Sequence, residues 1–183
     1  MGRAGVVLAA LLLAACASSA TLSDKGRLAG SGFEMDLPTG WSLIRGPSSG
    51  PSLVTRDGMQ FIATVRAPVT AELPVTKKSF GSRVTPQDAA AIEVEELRAS
   101  LGAAGFELLE SSMAELSSRP AFRLVYTWTS PDGLQLKRVH YVCVTGEHVY
   151  RLAYEAAVRY YFERDLGGFE QARQSFRMLP PSS

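Results

Sequence analysis

The amino-acid sequence predicts an α+β domain in which an antiparallel sheet lies between helical layers. Three observations point there. One amphipathic helix follows Thr85. The apolar period then changes from 3.6 to two over residues 106–155. The strands so defined are apolar on both faces, and a sheet of that kind has to be covered on both sides.

With 183 residues, 46% of them hydrophobic and 20% charged, the chain has the composition of one globular domain plus an appendage. Its 19 basic residues nearly balance 18 acidic ones, and loss of residues 1–15, which hold Arg3, would make the balance complete. Such a surface carries no electrostatic footprint for nucleic acid, and no polybasic block suits anionic lipid.

The appendage comes first. Arg3 precedes the apolar run "VVLAALLLAA", about half the length of a membrane-spanning helix, and small residues follow. Residues 1–15 therefore read as a signal peptide. The run ends in Leu13-Ala14-Ala15-Cys16, which resembles the lipobox of bacterial lipoproteins. That resemblance implies a diacylglyceride on the Cys16 thiol, cleavage before Cys16 and acylation of the new amino terminus. Ala17 stands where an Asp would signal retention in the inner membrane, so the resemblance implies an outer-membrane location facing the periplasm if the cell is Gram-negative. The small, polar segment that completes 16–31 reads as a flexible tether, spanning roughly 20 Å root-mean-square.

The globular domain is expected over 32–183, and its first strand is "FEMDL" from Phe33. "PTGW" is a turn leading to a short extension that ends at Ile44, and Gly46–Ser52 is a loop. Residues 53–67 form a hairpin around Asp57-Gly58. Residues 68–84 are irregular and are expected to be the most mobile part. The helix has Thr85 as N-cap, Pro86 at its first position and Asp88 three residues after the cap. Ala90, Val94, Leu97, Leu101 and Ala104 form its apolar stripe, and Gly102 and Gly105 offer a stop.

Beyond a less regular strand over 106–117, a Pro131-Asp132-Gly133 loop sets Val125 opposite Val139. A Gly146-Glu147 turn sets Cys143 opposite Tyr150, Tyr141 opposite Leu152 and Val139 opposite Tyr154. One face then carries these residues. The other carries Phe122, Leu124, Tyr126, Trp128, Leu136, Val142, Val144 and Val149. A closing helix presents Phe162, Leu166, Phe169, Arg173 and Phe176, with Gly167-Gly168 as a break or a late start.

This order of elements, with "GFEMDLPTGW", "DGMQFIATVR", "SSRPAFRLVYTW", "HYVCVTGEHVYRLAYE" and "FEQARQSF", resembles the PsbP/Mog-like α/β/α sandwich proteins, in style the DcrB-type bacterial lipoproteins. The resemblance spans residues 32–179 and implies a scaffold used for binding. It transfers no set of functional residues.

No reaction centre assembles in the sequence. His140 and His148 fall on opposite faces, so a shared metal is not expected: one reads as a satisfied histidine in the sheet, the other as solvated at a turn. Cys143, between Val142 and Val144, reads as a buried inert thiol. There is no G-x-S-x-G elbow, and "GSG" at 30–32 precedes no helix. Glu93, Glu95 and Glu96 read as a solvated helix face. Lys77, Lys78 and Arg83 read as solvated loop charges or as a patch for an acidic partner, and "RYYFERD" at 159–165 as core packing or a binding groove. The expectation is a non-enzymatic, cofactor-free lipoprotein whose acyl chains hold it to a membrane and whose domain binds another envelope protein. The alternative is a small-ligand or lipid-binding lipoprotein with a pocket lined by Tyr, Phe and Trp between sheet and helix.

Overall fold

A computed structural model describes residues 21–22, 26–30, 32–44, 52–102 and 105–179. The signal peptide, Cys16, residues 46–51 of the predicted loop and Ala104 lie outside the described residues. In chain order the elements are β1 (Thr21–Leu22), β2 (Arg27–Gly30), β3 (Phe33–Asp36), β4 (Ser42–Ile44), β5 (Ser52–Thr55), β6 (Gln60–Pro68), α1 (Pro86–Leu101), β7 (Glu107–Leu116), β8 (Arg119–Thr129), β9 (Gln135–Val144), β10 (His148–Ala157), α2 (Tyr161–Ser175) and β11 (Arg177–Met178).

Seven strands form an antiparallel sheet in the order β4-β5-β6-β10-β9-β8-β7, and four short ones form a second sheet, β1-β2-β3-β11. The register of the central strands follows the turn chemistry. Val125 lies opposite Val139, Cys143 opposite Tyr150, Tyr141 opposite Leu152 and Val139 opposite Tyr154. Gly133 supplies the positive φ of +85° in the first turn, and the Thr145 N–H donates to the His148 carbonyl at 2.8 Å across the second. In β7 the pairing shifts between Leu108 and Glu110. This bulge is why the alternation there is irregular.

Both sheet faces are covered, as their composition requires. On one side Val125, Val139, Tyr141, Cys143, Tyr150, Leu152 and Tyr154 pack with Phe162, Phe169 and Phe176 of the α2 region and with Leu28, Phe33 and Met35 of the small sheet. On the other, Phe122, Leu124, Tyr126, Trp128, Val142 and Val149 pack with Ala89, Ala90, Leu97 and Leu101 of α1 and with Val69, Leu73 and Phe80.

The first helix starts as its sequence dictates. The Thr85 hydroxyl accepts from the Asp88 N–H at 3.2 Å and donates to the Asp88 carboxylate at 2.7 Å. It ends at Leu101, with Gly102 as C-cap. The second helix departs from expectation, because Gly167-Gly168 sits inside α2 and neither breaks nor delays it. Each interior glycine costs about 1 kcal/mol, whereas burying each of Phe162, Phe169 and Phe176 is worth about 1.5–3 kcal/mol. Packing decides.

Two further expectations are corrected. The segment read as tether contributes β1 and β2, and Arg27–Gly30 pairs along the whole of β3. Its one large apolar residue in that strand, Leu28, is completely buried. Residues 69–84, expected to be the most mobile, are irregular but pinned. The Val69 N–H donates to the Glu147 carbonyl at 2.9 Å and the Leu73 N–H to the Lys78 carbonyl at 2.7 Å, while the Val69, Leu73 and Phe80 side chains enter the core.

The role of β2 is open to direct test. A Cβ on Gly30 would stand 2.2 Å from the Phe33 ring, which is buried and stacked on Phe176 at 5.5 Å. Gly30→Ala is therefore expected to lower stability by about 1–3 kcal/mol in urea unfolding, the usual cost of overpacking. A neutral result would mean that this segment is tether after all.

Candidate functional site

Beneath α1 the sheet face is interrupted by a row of polar side chains from adjacent strands. Tyr126 and Trp128 come from β8, Arg138 and His140 from β9, and Arg151 and Glu155 from β10. The helix adds Glu93. Period-two alternation puts all six strand residues on one face, and register brings them side by side.

At the centre, Arg151 donates from Nε to Glu93 Oε1 and from Nη2 to Oε2, both at 2.9 Å. The two side chains are 8% and 5% exposed, so this is a buried, bidentate ion pair. Burial, the largest influence, would by itself raise the Glu93 carboxyl, but Arg151, first among its neighbours, together with His140 and Arg138 holds the group below its ordinary range. The Phe80 ring lies 5.2 Å from the same guanidinium and closes that side.

His140 Nε2 stands 3.8 Å from Glu93 Oε1. Burial pushes its imidazole down to about 4, with Arg138 and Arg151 adding to the effect and Glu93 opposing it. The ring is neutral at pH 7, and its buried Nδ1 has no hydrogen-bond partner among the described residues. The expectation of a satisfied histidine is thus corrected.

The rest of the row is a second knot. Glu155 Oε2 accepts from Trp128 Nε1 and from Arg138 Nε, each at 2.9 Å. Arg138 Nη1 donates to the Tyr126 hydroxyl at 3.2 Å. Burial pushes that phenol up to about 12.

The glutamates of α1 also require correction. Glu95 is exposed and meets Lys78 at 2.5 Å, but Glu93 and Glu96 are 4% and 2% exposed. The Glu96 carboxylate accepts from the backbone N–H groups of Val75 and Thr76, at 2.9 and 2.8 Å, and from the Thr76 hydroxyl at 2.7 Å. It holds the irregular segment against the helix. A signal for Glu93 was present in the sequence. It lies three residues after Ala90 and four before Leu97, inside the apolar stripe, and the charge of Arg151 falls amid the apolar residues of one strand face.

Elsewhere, each singled-out group is accounted for by its surroundings. Cys143 is buried, donates to the Pro120 carbonyl at 3.4 Å and has its thiol pushed up to about 11 by burial. His148 lies on the opposite face from His140, half-buried, with Arg66 Nη2 2.9 Å from its Nε2. Lys77 and Arg83 are exposed. In "RYYFERD" the residues diverge: Phe162 is core, Tyr161 is half-buried and Tyr160 is 68% exposed. The aromatic rings expected to line a pocket are packed on one another. Tyr154 lies 5.3 Å from both Phe162 and Phe169, and Tyr141 lies 6.2 Å from Phe169. Among the described residues, no group of three or more potential metal ligands occurs.

No protein-family model and no curated protein matches the chain. Solved structures do. The PsbP protein (CyanoP) of Synechocystis sp. PCC 6803 is 14% identical, with 97% of this chain and 98% of that one covered and a TM-score of 0.58. LpqN of Mycobacterium tuberculosis, described as involved in cell envelope biogenesis, is 15% identical over 81% of this chain and 83% of its own, with a TM-score of 0.54. The Ran-binding protein Mog1p of Saccharomyces cerevisiae is 8% identical over 88% and 95%, with a TM-score of 0.52. The chain has the PsbP/Mog-like fold, and these likenesses show the fold alone.

Two predictions follow from the seam. Arg151→Met strands the Glu93 charge in the core and is expected to cost about 3–5 kcal/mol in urea unfolding, most of it recovered in the double variant Glu93→Met/Arg151→Met. A double variant no better than the single would refute the pairing. The second concerns acid. His140 titrates near 4 in the folded protein against 6.5 ordinarily, so the unfolded chain takes up a proton that the native state refuses. Stability is lost as pH falls from about 6.5 towards 4. Between pH 8 and pH 5 the native protein is expected to lose about 2 kcal/mol more than His140→Leu. Parallel profiles would contradict this.

Proposed function

We propose that the protein is a lipid-anchored lipoprotein of the bacterial cell envelope whose domain binds another envelope component and catalyses no reaction. The observation that carries the anchor is Leu13-Ala14-Ala15-Cys16 at the end of a short apolar run, with no stop-transfer cluster after it. A thiol is the side chain that forms the thioether, and small residues at 14 and 15 suit the signal peptidase. Acyl chains are then the membrane contact, since one chain holds marginally and two or more hold stably. Among the described residues no helix is long and apolar enough to cross a membrane. Ala17 favours the outer membrane, periplasm-facing, in a Gram-negative cell.

The binding role is supported by the environments of the groups that do chemistry in other proteins. Cys143 is held as a thiol, His140 is enclosed and neutral, and Glu93 and Arg151 neutralise each other. The envelope setting of LpqN, which has the same fold, agrees with this reading.

The anchor predicts a mass. The amino-terminal peptide of membrane-extracted protein is expected to begin at Cys16 and to carry diacylglyceryl and acyl groups, and Cys16→Ser should move the domain from the membrane pellet to the soluble fraction. An unmodified Cys16 in membrane-extracted protein would refute the anchor. Reproducible neighbours after crosslinking in intact cells are the corresponding expectation for the binding role.

A further inference from the structure

We infer that the lipid at Cys16 holds the domain close against the phospholipid headgroups in one orientation, with β1 and β4 towards the bilayer and β7 away from it. The inference rests on the anchor proposed above and adds a surface to it. Its premise is the correction to the tether: the chain is already in the fold at Thr21, where β1 pairs with β2. Five residue steps separate Cys16 from Thr21, and a fully extended chain covers at most about 18 Å in five steps. A tether running to residue 31 would have let the domain turn freely above the membrane. One ending at Thr21 does not.

The topology says what lies at each end. β1 is the outer strand of the small sheet and lies beside β4, the terminal strand of the large one. Ile44 on β4 is an exposed apolar side chain there. β7 is the opposite terminal strand, six strand intervals from β4, or about 29 Å at 4.8 Å per interval. The leash is shorter than that span. The β7 edge, with Leu109 and Met113 exposed, therefore faces the aqueous side.

The test uses the full lipidated chain in vesicles of phosphatidylethanolamine and phosphatidylglycerol that carry a headgroup nitroxide. A fluorophore is placed on Ser42→Cys in β4 or on Ser111→Cys in β7, both exposed positions. Cys143 is buried and does not compete for label, and the Cys16 sulfur is taken up in the diacylglyceryl thioether. Quenching is expected to be several-fold stronger at residue 42 than at residue 111. Inserting about ten Gly/Ser residues between Ala20 and Thr21 raises the root-mean-square reach from about 12 Å to about 21 Å and is expected to abolish that difference while the protein still floats with the vesicles. Equal quenching in the native-length chain overturns the inference, as does a difference that survives the insertion, since the leash would then not be what orients the domain. Failure of the anchor itself reads differently. The protein then neither floats with vesicles nor carries acyl mass, and the orientation falls with it.

Discussion

The central strands β8, β9 and β10 are apolar on both sides, and most of what surrounds them is cover. A two-faced sheet left bare on either side would expose large rings to water, at a cost of about 1.5–3 kcal/mol for each side chain the size of Tyr, Phe or Leu. The chain meets this demand with unequal materials. On one face lie α2 and a small sheet assembled from the first strands of the domain and the last, and on the other lie α1 and an irregular segment. The pressure to cover explains features that local rules would reject. Two consecutive glycines stay helical because the phenylalanines on either side of them are needed in the core. A polar amino-terminal stretch becomes a strand because Leu28 completes the same layer.

Within that layered frame the charges do a different job. Desolvating both Glu93 and Arg151 costs about as much as their attraction returns, so the pair adds little net stability. It penalises every alternative docking of α1 in which the charges part. Glu96 works outward from the next turn of the helix, holding the backbone of Val75 and Thr76. Between them, two glutamates three residues apart set how the helix sits on the sheet and how the irregular segment sits on the helix. The solvated pair of Glu95 and Lys78 beside them lies in high dielectric and contributes less than 1 kcal/mol.

The same enclosure bears on function. Histidine, cysteine, glutamate and arginine supply much catalytic chemistry, yet among the described residues Cys143, His140, Glu93 and Arg151 face apolar neighbours or one another, and Glu96 holds the backbone of Val75 and Thr76. Exposed features among the described residues include strand edges, turns and Tyr160. For the binding role proposed above, an anchor close to the first strand would decide which part of that surface a partner meets.

The sequence by itself determined the order of elements from β3 to α2, the central strand register and the start of the first helix. These depend on neighbours in the chain: Thr85 and Pro86 act on the helix they begin, and the 131–133 and 146–147 turns set every later residue of their hairpins by counting. It also placed His140 and His148 on opposite faces by parity. Tertiary structure alone decided the rest. Whether Glu93 is solvated depends on Arg151, 58 residues away, rising from the sheet to meet it. Whether residues 27–30 are tether or strand depends on the backbone of β3 and on the layer Leu28 enters, neither of which composition reports. The motif at Cys16 on which the proposed anchor rests is legible only in sequence, while the number of residues between it and the first strand emerged only when β1 found β2.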